Sequence, residues 1–138
     1  MTVLADTSAL IAFYDRRSAD HHAVVEAFRA IPAPLTVSPL VLAEFDFLIS
    51  KYAGDKVALT AAREIAATMQ IEEFNAADLA AAADVMERYA DLKLGLTDAS
   101  IVVLAHRCHT GRLLTLDRRH FTVVRPLSAA DAFALLPG

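Results

Sequence analysis

The stretch Val3-Leu4-Ala5-Asp6-Thr7-Ser8-Ala9-Leu10-Ile11 decides the fold class of this chain. Its apolar run at residues 2–5 is typical of a buried strand, and the run ends at the carboxylate of Asp6. From Ala9 onward the pattern predicts a helix, with Thr7 or Ser8 as its N-terminal cap. A strand that passes directly into a helix is typical of proteins built on a parallel sheet.

The same alternation of strand and helix continues along the chain. Further strands are predicted at residues 35–37, 71–74, 112–116 and 122–124. Helices are predicted to begin near Ser18 or Asp20, at Ser38-Pro39, near Lys56, at a capping box from Asn75 to Asp78, at Thr97, and at Ser128 to Asp131 before Pro137. The alternation indicates the α/β class, with a mostly parallel sheet of four to five strands covered by helices on both faces.

Composition sets the size of the domain and the surroundings in which it works. The 138 residues are 56% hydrophobic and carry a net charge of −4, which predicts one domain, residues 1–138, with a substantial core. An acidic chain does not hold nucleic acid by bulk charge, so any such contact is expected to be local. Cys108 is the single cysteine, which excludes an internal disulfide and favours a reducing compartment. No apolar run approaches the ~20 residues of a membrane span and no secretory signal is visible, so we expect a cytoplasmic protein that does not bind membranes.

Two carboxylates directly follow predicted strands. Asp6 comes after the first strand, and Asp117 comes after the apolar run at residues 113–116. Ligands of parallel sheets bind at the carboxyl ends of the strands, which is where both side chains are expected. For each acid alone, capping the following helix or simple exposure to water remains an alternative.

Glu44 interrupts the apolar face of a predicted helix. Its spacing places it on the same face as Val41, Phe45 and Leu48. Burying an unpaired carboxylate costs several kcal/mol, roughly, unless the group is paired or binds a metal. The pattern therefore predicts a metal-site or catalytic role for Glu44, and a salt bridge to an arginine at the edge of the core is the alternative.

Asp98 repeats this anomaly on another helix. It shares a face with Ile101, Val102 and Ala105, and the segment 101–105 is apolar on all sides, which predicts a central, buried helix. Asp98 also lies in the first turn, where the helix dipole favours an anion. A stabilising N-terminal acid is therefore as reasonable an interpretation as a functional site.

Taken together, the four acids predict a cation site. Crowded carboxylates repel one another, and a hard divalent cation relieves the repulsion. Oxygen donors favour Mg²⁺ or Mn²⁺, which points to chemistry on a phosphodiester. The basic run Arg118-Arg119-His120 follows Asp117 and, like Arg16 and Arg17, is a candidate for contacts with backbone phosphates, with solvated charge as the alternative.

Four ordered motifs carry a resemblance to a known family. They are Asp6-Thr7-Ser8-Ala9-Leu10-Ile11-Ala12, Leu42-Ala43-Glu44-Phe45, Leu96-Thr97-Asp98-Ala99-Ser100-Ile101 and Leu114-Thr115-Leu116-Asp117-Arg118-Arg119-His120-Phe121. With these motifs the chain resembles the PIN-domain ribonucleases, and most closely the VapC toxins of bacterial VapBC toxin–antitoxin pairs. The motifs span nearly the whole chain.

The resemblance implies a three-layer α/β/α fold and a Mg²⁺- or Mn²⁺-dependent endoribonuclease that hydrolyses RNA through a metal-activated water. It implies catalytic roles for Asp6, Glu44, Asp98 and Asp117, with Asp6 and Asp98 as direct metal ligands. It further implies a homodimer in the bacterial cytoplasm that is silenced by a VapB-like antitoxin. Phe28, Phe45 and Phe47 are candidates for a partner surface or for the core.

Other functions remain open from the sequence alone. A PIN-like domain can be catalytically silent and bind partners, or it can act on DNA or in RNA processing. The sequence does not distinguish tRNA, rRNA and mRNA as targets, or one metal ion from two. His106, Cys108 and His109 invite a zinc interpretation, but a structural zinc site needs four well-spaced ligands.

Overall fold

The computed structural model describes residues 2–128 and 132–138 of the chain. Its sheet has five strands in the order β3-β2-β1-β4-β5, and every neighbouring pair is parallel. The strands are β1 (Leu4–Ala5), β2 (Thr36–Val37), β3 (Gln70–Ile71), β4 (Arg112–Leu114) and β5 (Ala134–Leu136). The parallel sheet predicted from the alternating sequence pattern is thereby confirmed.

Helices connect the strands. Within the described ranges they are α1 (Thr7–Tyr14), α2 (His21–Ala30), α3 (Pro39–Ala53), α4 (Asp55–Thr68), α5 (Ala76–Arg88), α6 (Leu96–Arg107) and α7 (Arg118–Phe121), with a 3-10 turn at Ala90–Leu92. Among the helices that the structure describes, none has the length and apolarity to cross a membrane.

Both faces of the sheet are covered, as expected for a three-layer α/β/α fold. Successive strand residues point to opposite faces, and Leu4 and Ala5 are both fully buried. Thr36 and Val37 on the next strand are also buried. Helix α6 is buried over residues 99–105, which confirms its predicted central position.

The order in which strands are added to the sheet reverses at β1, and this switch point forms the crevice that holds the site. From β1 the chain moves outward to β2 and β3, and it then returns to β4 on the other side of β1. Ala5 pairs with Leu114, and the backbone N–H of Asp6 donates to the carbonyl of Leu114 at 2.9 Å. In parallel sheets such a switch point is where ligands bind.

The helix starts follow from short capping interactions. Asp6 caps α1, since its Oδ1 accepts from the backbone N–H of Thr7 at 2.8 Å, so the predicted cap at Thr7 or Ser8 is wrong. The predicted start at Ser38 is confirmed, because Ser38 Oγ accepts from the N–H of Leu40 at 3.1 Å. The Asn75–Asp78 capping box is also present.

Two predicted elements near the end of the chain are wrong. Residues 122–124 form a turn instead of a strand, because the N–H groups of Val123 and Val124 both donate to the carbonyl of His120. The predicted last helix is replaced at 134–136 by β5, whose backbone pairs with the open edge of β4. The start predicted at Ser128 to Asp131 falls largely outside the described residues.

The start of α6 also differs from the prediction. Gly95, in an extended conformation, is the N-cap residue, and its carbonyl accepts from the N–H of Ala99. Thr97 therefore lies within the first turn. The helix begins one residue after the glycine, at Leu96, and Asp98 is its third residue.

The central position of α6 generates a stability prediction. Replacing Leu104, which is fully buried, by alanine should lower the free energy of unfolding by about 2–5 kcal/mol, because a cavity remains in a core packed from all sides. The matched control is Leu79→Ala on α5, where the side chain is 47% exposed, and there the change should be within about 1 kcal/mol. Urea unfolding measures both, and equal effects would contradict a core organised around α6.

Candidate active site

The four acids singled out from the sequence line one cavity. Asp6, Glu44, Asp98 and Asp117 all border a pocket of about 420 Å³, together with residues of α1, α3 and the start of α6. The four lie far apart in the sequence, so only the fold brings them together. Two of them enter from the carboxyl ends of β1 and β4, as the strand-end pattern predicted.

Asp6 is the buried member of the set, with 4% of its surface exposed. Its Oδ1 accepts from the N–H of Thr7 at 2.8 Å, and its Oδ2 accepts from Ser8 Oγ at 3.1 Å and Thr115 Oγ1 at 2.8 Å. Burial raises the pKa of Asp6, while these three donors oppose the rise. The acid therefore caps a helix and faces the cavity at once, in a fixed orientation.

Two hydroxyl groups join the start of α1 to the segment after β4. Ser8 Oγ donates to Asp6 and accepts from the N–H of Leu116 at 3.0 Å. Thr115 Oγ1 donates to Asp6 and accepts from the N–H of Asp117 at 2.9 Å. Each hydroxyl thus uses one donor and one acceptor function, and together they fix Asp117 relative to Asp6.

Asp117 and Asp98 share one imidazole. Asp117 caps the short helix α7, where its Oδ1 accepts from the N–H of His120 at 3.0 Å. His120 Nδ1 lies 2.9 Å from Asp117 Oδ2 and 3.2 Å from Asp98 Oδ2. The ring nitrogen therefore stands between two carboxylates that face the same cavity.

The pKa of Asp98 is shifted by burial and by the other charged groups of the cluster. Its pKa is raised to about 6, first by burial and then by the negative charges of Asp6, Asp117 and Glu44, with His120 acting in the opposite direction. A carboxylate with these surroundings favours a positive partner. The helix dipole at the N-terminal turn of α6 supplies only a partial positive charge.

A buried pair of hydroxyls sets α3 against α6 near this acid. Ser38 Oγ and Ser100 Oγ lie 2.8 Å apart, and both residues are fully buried. Ser100 Oγ also donates to the carbonyl of Thr97 at 2.6 Å. The contact fixes the helix that carries Glu44 relative to the turn that carries Asp98.

Glu44 reaches the cavity from a position that the sequence did not predict. It is exposed, so the predicted burial within an apolar stripe is wrong. The buried stripe of α3 consists of Val41, Phe45 and Ile49, at intervals of four residues, and Glu44 flanks it. Glu44 forms no ion pair with any described residue, so the alternative of a salt bridge to an arginine is not observed.

Several contacts of the cluster were missed or misjudged from the sequence. The sequence pattern marks His120 only as part of a basic run, although a residue three positions after an N-cap carboxylate has its N–H directed at that carboxylate. The sequence pattern does not mark Thr115 as a site residue.

Two of the candidate phosphate contacts already have partners within the chain. Arg17 forms an ion pair with Asp15 at 3.1 Å and donates to the carbonyl of Tyr52, and Arg118 donates to the carbonyl of Pro137.

The donor set fits a divalent cation. Ligand atoms of Asp98, Asp117 and His120 all lie within 4.8 Å of one another, and Asp6 borders the same pocket. The buried hydroxyl of Thr7, which also lines the pocket, has no hydrogen-bond partner among the residues that the structure describes. Concentrated carboxylate oxygens, a raised pKa and an orphaned hydroxyl are what a hard cation with bound water satisfies.

Comparisons with known proteins agree with this geometry. Residues 3–125 match the family model described as PIN domain. Ribonuclease VapC26 of Mycobacterium tuberculosis is 39% identical over 136 residues, which cover 98% of this chain and 100% of that protein. The resemblance seen in the sequence motifs is thereby confirmed.

Solved structures share the fold. The crystal structure of Mycobacterium tuberculosis VapC20, described as a toxin that cleaves the sarcin–ricin loop, aligns with a TM-score of 0.79 at 20% identity, covering 84% of this chain and 90% of that one. A toxin–antitoxin complex from Klebsiella pneumoniae aligns with a TM-score of 0.69 at 22% identity, covering 88% and 92%.

The raised pKa of Asp98 predicts how stability changes with pH. Asp98 has a pKa of about 6 when folded against an ordinary 3.8, so the unfolded chain loses its proton first. Without divalent ions, the contribution of Asp98 to the free energy of unfolding should fall by on the order of 1–2 kcal/mol as the pH rises from about 4 to about 6. Asp98→Asn should show a smaller fall than wild type or the exposed control Asp46→Asn. Denaturant titrations across this pH range in EDTA test it, and an unchanged fall in Asp98→Asn would contradict it.

The hydroxyl of Thr115 provides a second prediction. Thr115→Val keeps the shape but removes the donor to Asp6 and the acceptor for Asp117 N–H, so it should destabilise the protein by about 1–3 kcal/mol. Thr115→Ser retains the hydroxyl and should stay within about 1 kcal/mol of wild type. Urea unfolding at neutral pH compares the variants. Equal stabilities would mean that the hydroxyl does not hold Asp6 in place.

Proposed function

The chain belongs to the PIN-domain family, and from this premise we propose that it is a divalent-cation-dependent endoribonuclease, the toxin of a toxin–antitoxin pair. The observation that carries the proposal is the convergence of Asp6, Glu44, Asp98 and Asp117 on one cavity at the switch point of the sheet. The 39% identity to ribonuclease VapC26, along the whole of that protein, supports RNA as the substrate.

The roles proposed for the four acids are those that the family resemblance implies, and the way Asp6 is held supports them. Asp6 and Asp98 are proposed as direct ligands of Mg²⁺ or Mn²⁺, and Glu44 and Asp117 complete the catalytic set. Asp6 is oriented by three hydrogen bonds before any ligand arrives, which lowers the cost of reorganisation on binding. When bound, the cation supplies an activated water and neutralises charge on the phosphodiester.

The chain's own residues do the remaining work. Glu44 is exposed and lines the cavity, which supports the proposal that it meets a water or a second cation as RNA enters. Arg119 is exposed on α7, next to the Asp117 segment, and forms no ion pair with any described residue, so it can contact a backbone phosphate. Such local contacts suit a chain with a net charge of −4.

We also propose the partners that such a toxin requires. The Klebsiella pneumoniae match is a toxin–antitoxin complex, and a VapB-like antitoxin is proposed for this chain, together with a homodimer and action in the bacterial cytoplasm. Of the three phenylalanines considered, Phe45 is core and Phe28 is half-buried, whereas Phe47 is 68% exposed on α3. Phe47 is therefore the proposed partner contact. Residues 1–138 are proposed to act as one domain.

Cleavage of RNA by the purified protein, freed of any antitoxin, tests the activity. Total bacterial RNA incubated with Mn²⁺ or Mg²⁺ should yield discrete fragments, and EDTA should abolish them. Asp98→Asn should cleave at least about 100-fold more slowly, since it removes a charged group from the cation site. The control Asp46→Asn removes the same single negative charge at an exposed position, and this variant should cleave like wild type.

The result that overturns the proposal is equally definite. Folded wild-type protein that binds Mn²⁺ and cuts no RNA would indicate a catalytically silent binding domain. Cleavage restricted to DNA would indicate a different nuclease. Mapping the ends of RNA fragments would identify whether tRNA, rRNA or mRNA is the target.

A further inference from the structure

His120 stands where a cation ligand would stand. We infer that His120 binds the catalytic cation directly through Nδ1, and that this nitrogen makes the site prefer Mn²⁺ to Mg²⁺. The inference rests on the proposed function, because it concerns the cation that the proposed nuclease uses. It adds a nitrogen donor to a site otherwise built from carboxylates.

The geometry of the three donor atoms carries the inference. His120 Nδ1 lies 2.9 Å from Asp117 Oδ2 and 3.2 Å from Asp98 Oδ2. Adjacent ligands on one octahedral ion with bonds of about 2.1 Å are separated by about 3.0 Å. The nitrogen therefore already has about this spacing to the oxygen of Asp98, a proposed ligand, and to that of Asp117 beside it.

The backbone keeps the imidazole at this point. His120 is the third residue of α7, and its own N–H is held by Asp117 Oδ1 at 3.0 Å. The next residue, Phe121, is 1% exposed and packs edge-on against Phe133 at a centroid distance of 6.0 Å. Because α7 is fixed at both of these positions, the ring cannot leave the cluster without a change of its own rotamer.

The chemistry of the donor decides which cation benefits. Ionised carboxylates only accept, so without a cation the hydrogen of these contacts lies on Nδ1. A cation bound there would displace that proton and leave a neutral imidazole with its hydrogen on Nε2 and a lone pair at Nδ1. Imidazole is a good ligand for transition metals, whereas Mg²⁺ prefers oxygen donors and retains its waters. A nitrogen next to two carboxylates thus adds more to the affinity for Mn²⁺ than to that for Mg²⁺.

Pulsed electron paramagnetic resonance of bound Mn²⁺ tests ligation in the absence of RNA. The wild-type protein should show the coupling of a directly bonded ¹⁴N, and protein labelled with ¹⁵N-histidine should show the ¹⁵N coupling in its place. His120→Gln should lose the coupling, and the matched control His106→Gln, at an exposed position in the last turn of α6, should keep it.

Affinities measured by titration complete the experiment. His120→Gln should weaken Mn²⁺ binding by at least about tenfold and Mg²⁺ binding by less, with the folded state checked by circular dichroism. Bound Mn²⁺ without nitrogen coupling in the wild type, or coupling retained in His120→Gln, would overturn the inference. Failure of the proposed function would appear separately, as absent RNA cleavage by protein that carries Mn²⁺.

Discussion

The burial of a carboxylate at the end of the central strand is the constraint around which this fold is arranged. Asp6 follows β1 with 4% of its surface exposed, where an unsolvated charge costs several kcal/mol, roughly, unless donors replace water. Those donors are the first N–H of α1 and the hydroxyls of Ser8 and Thr115. The Asp6 carboxylate is therefore solvated by groups from the start of α1 and from the segment after β4. The pairing of β1 with β4 brings that segment next to Asp6.

The carboxylates of the same cluster lower the stability of the folded protein when they are ionised and no cation is bound. Burial and like charge raise the pKa of Asp98 to about 6, which means that the folded protein resists the ionised state its proposed chemistry needs. His120 offsets part of this repulsion by standing between Asp98 and Asp117. Preorganised charge of this kind is typical of sites whose ligand supplies the missing counter-charge.

The sequence predicted those features that depend on local pattern. Alternating strands and helices gave the α/β class, and acids placed directly after strands predicted that Asp6 and Asp117 would meet. Features that depend on tertiary contacts were missed: β5 forms because β4 has an open edge, and Glu44 is exposed because the core stripe of α3 follows a four-residue interval. His120 escaped notice because its contact with Asp98 spans 22 residues.

The double role of Asp6 shapes how such a protein changes over generations. A substitution there removes a helix cap and a cavity acid together, so it threatens folding as well as chemistry. Glu44, exposed and without an ion pair among the described residues, can change at little cost to the fold. In a lineage released from selection for the proposed activity, substitutions of Glu44 would therefore be retained before substitutions of Asp6. Its descendants would keep the fold and the surfaces that meet other proteins.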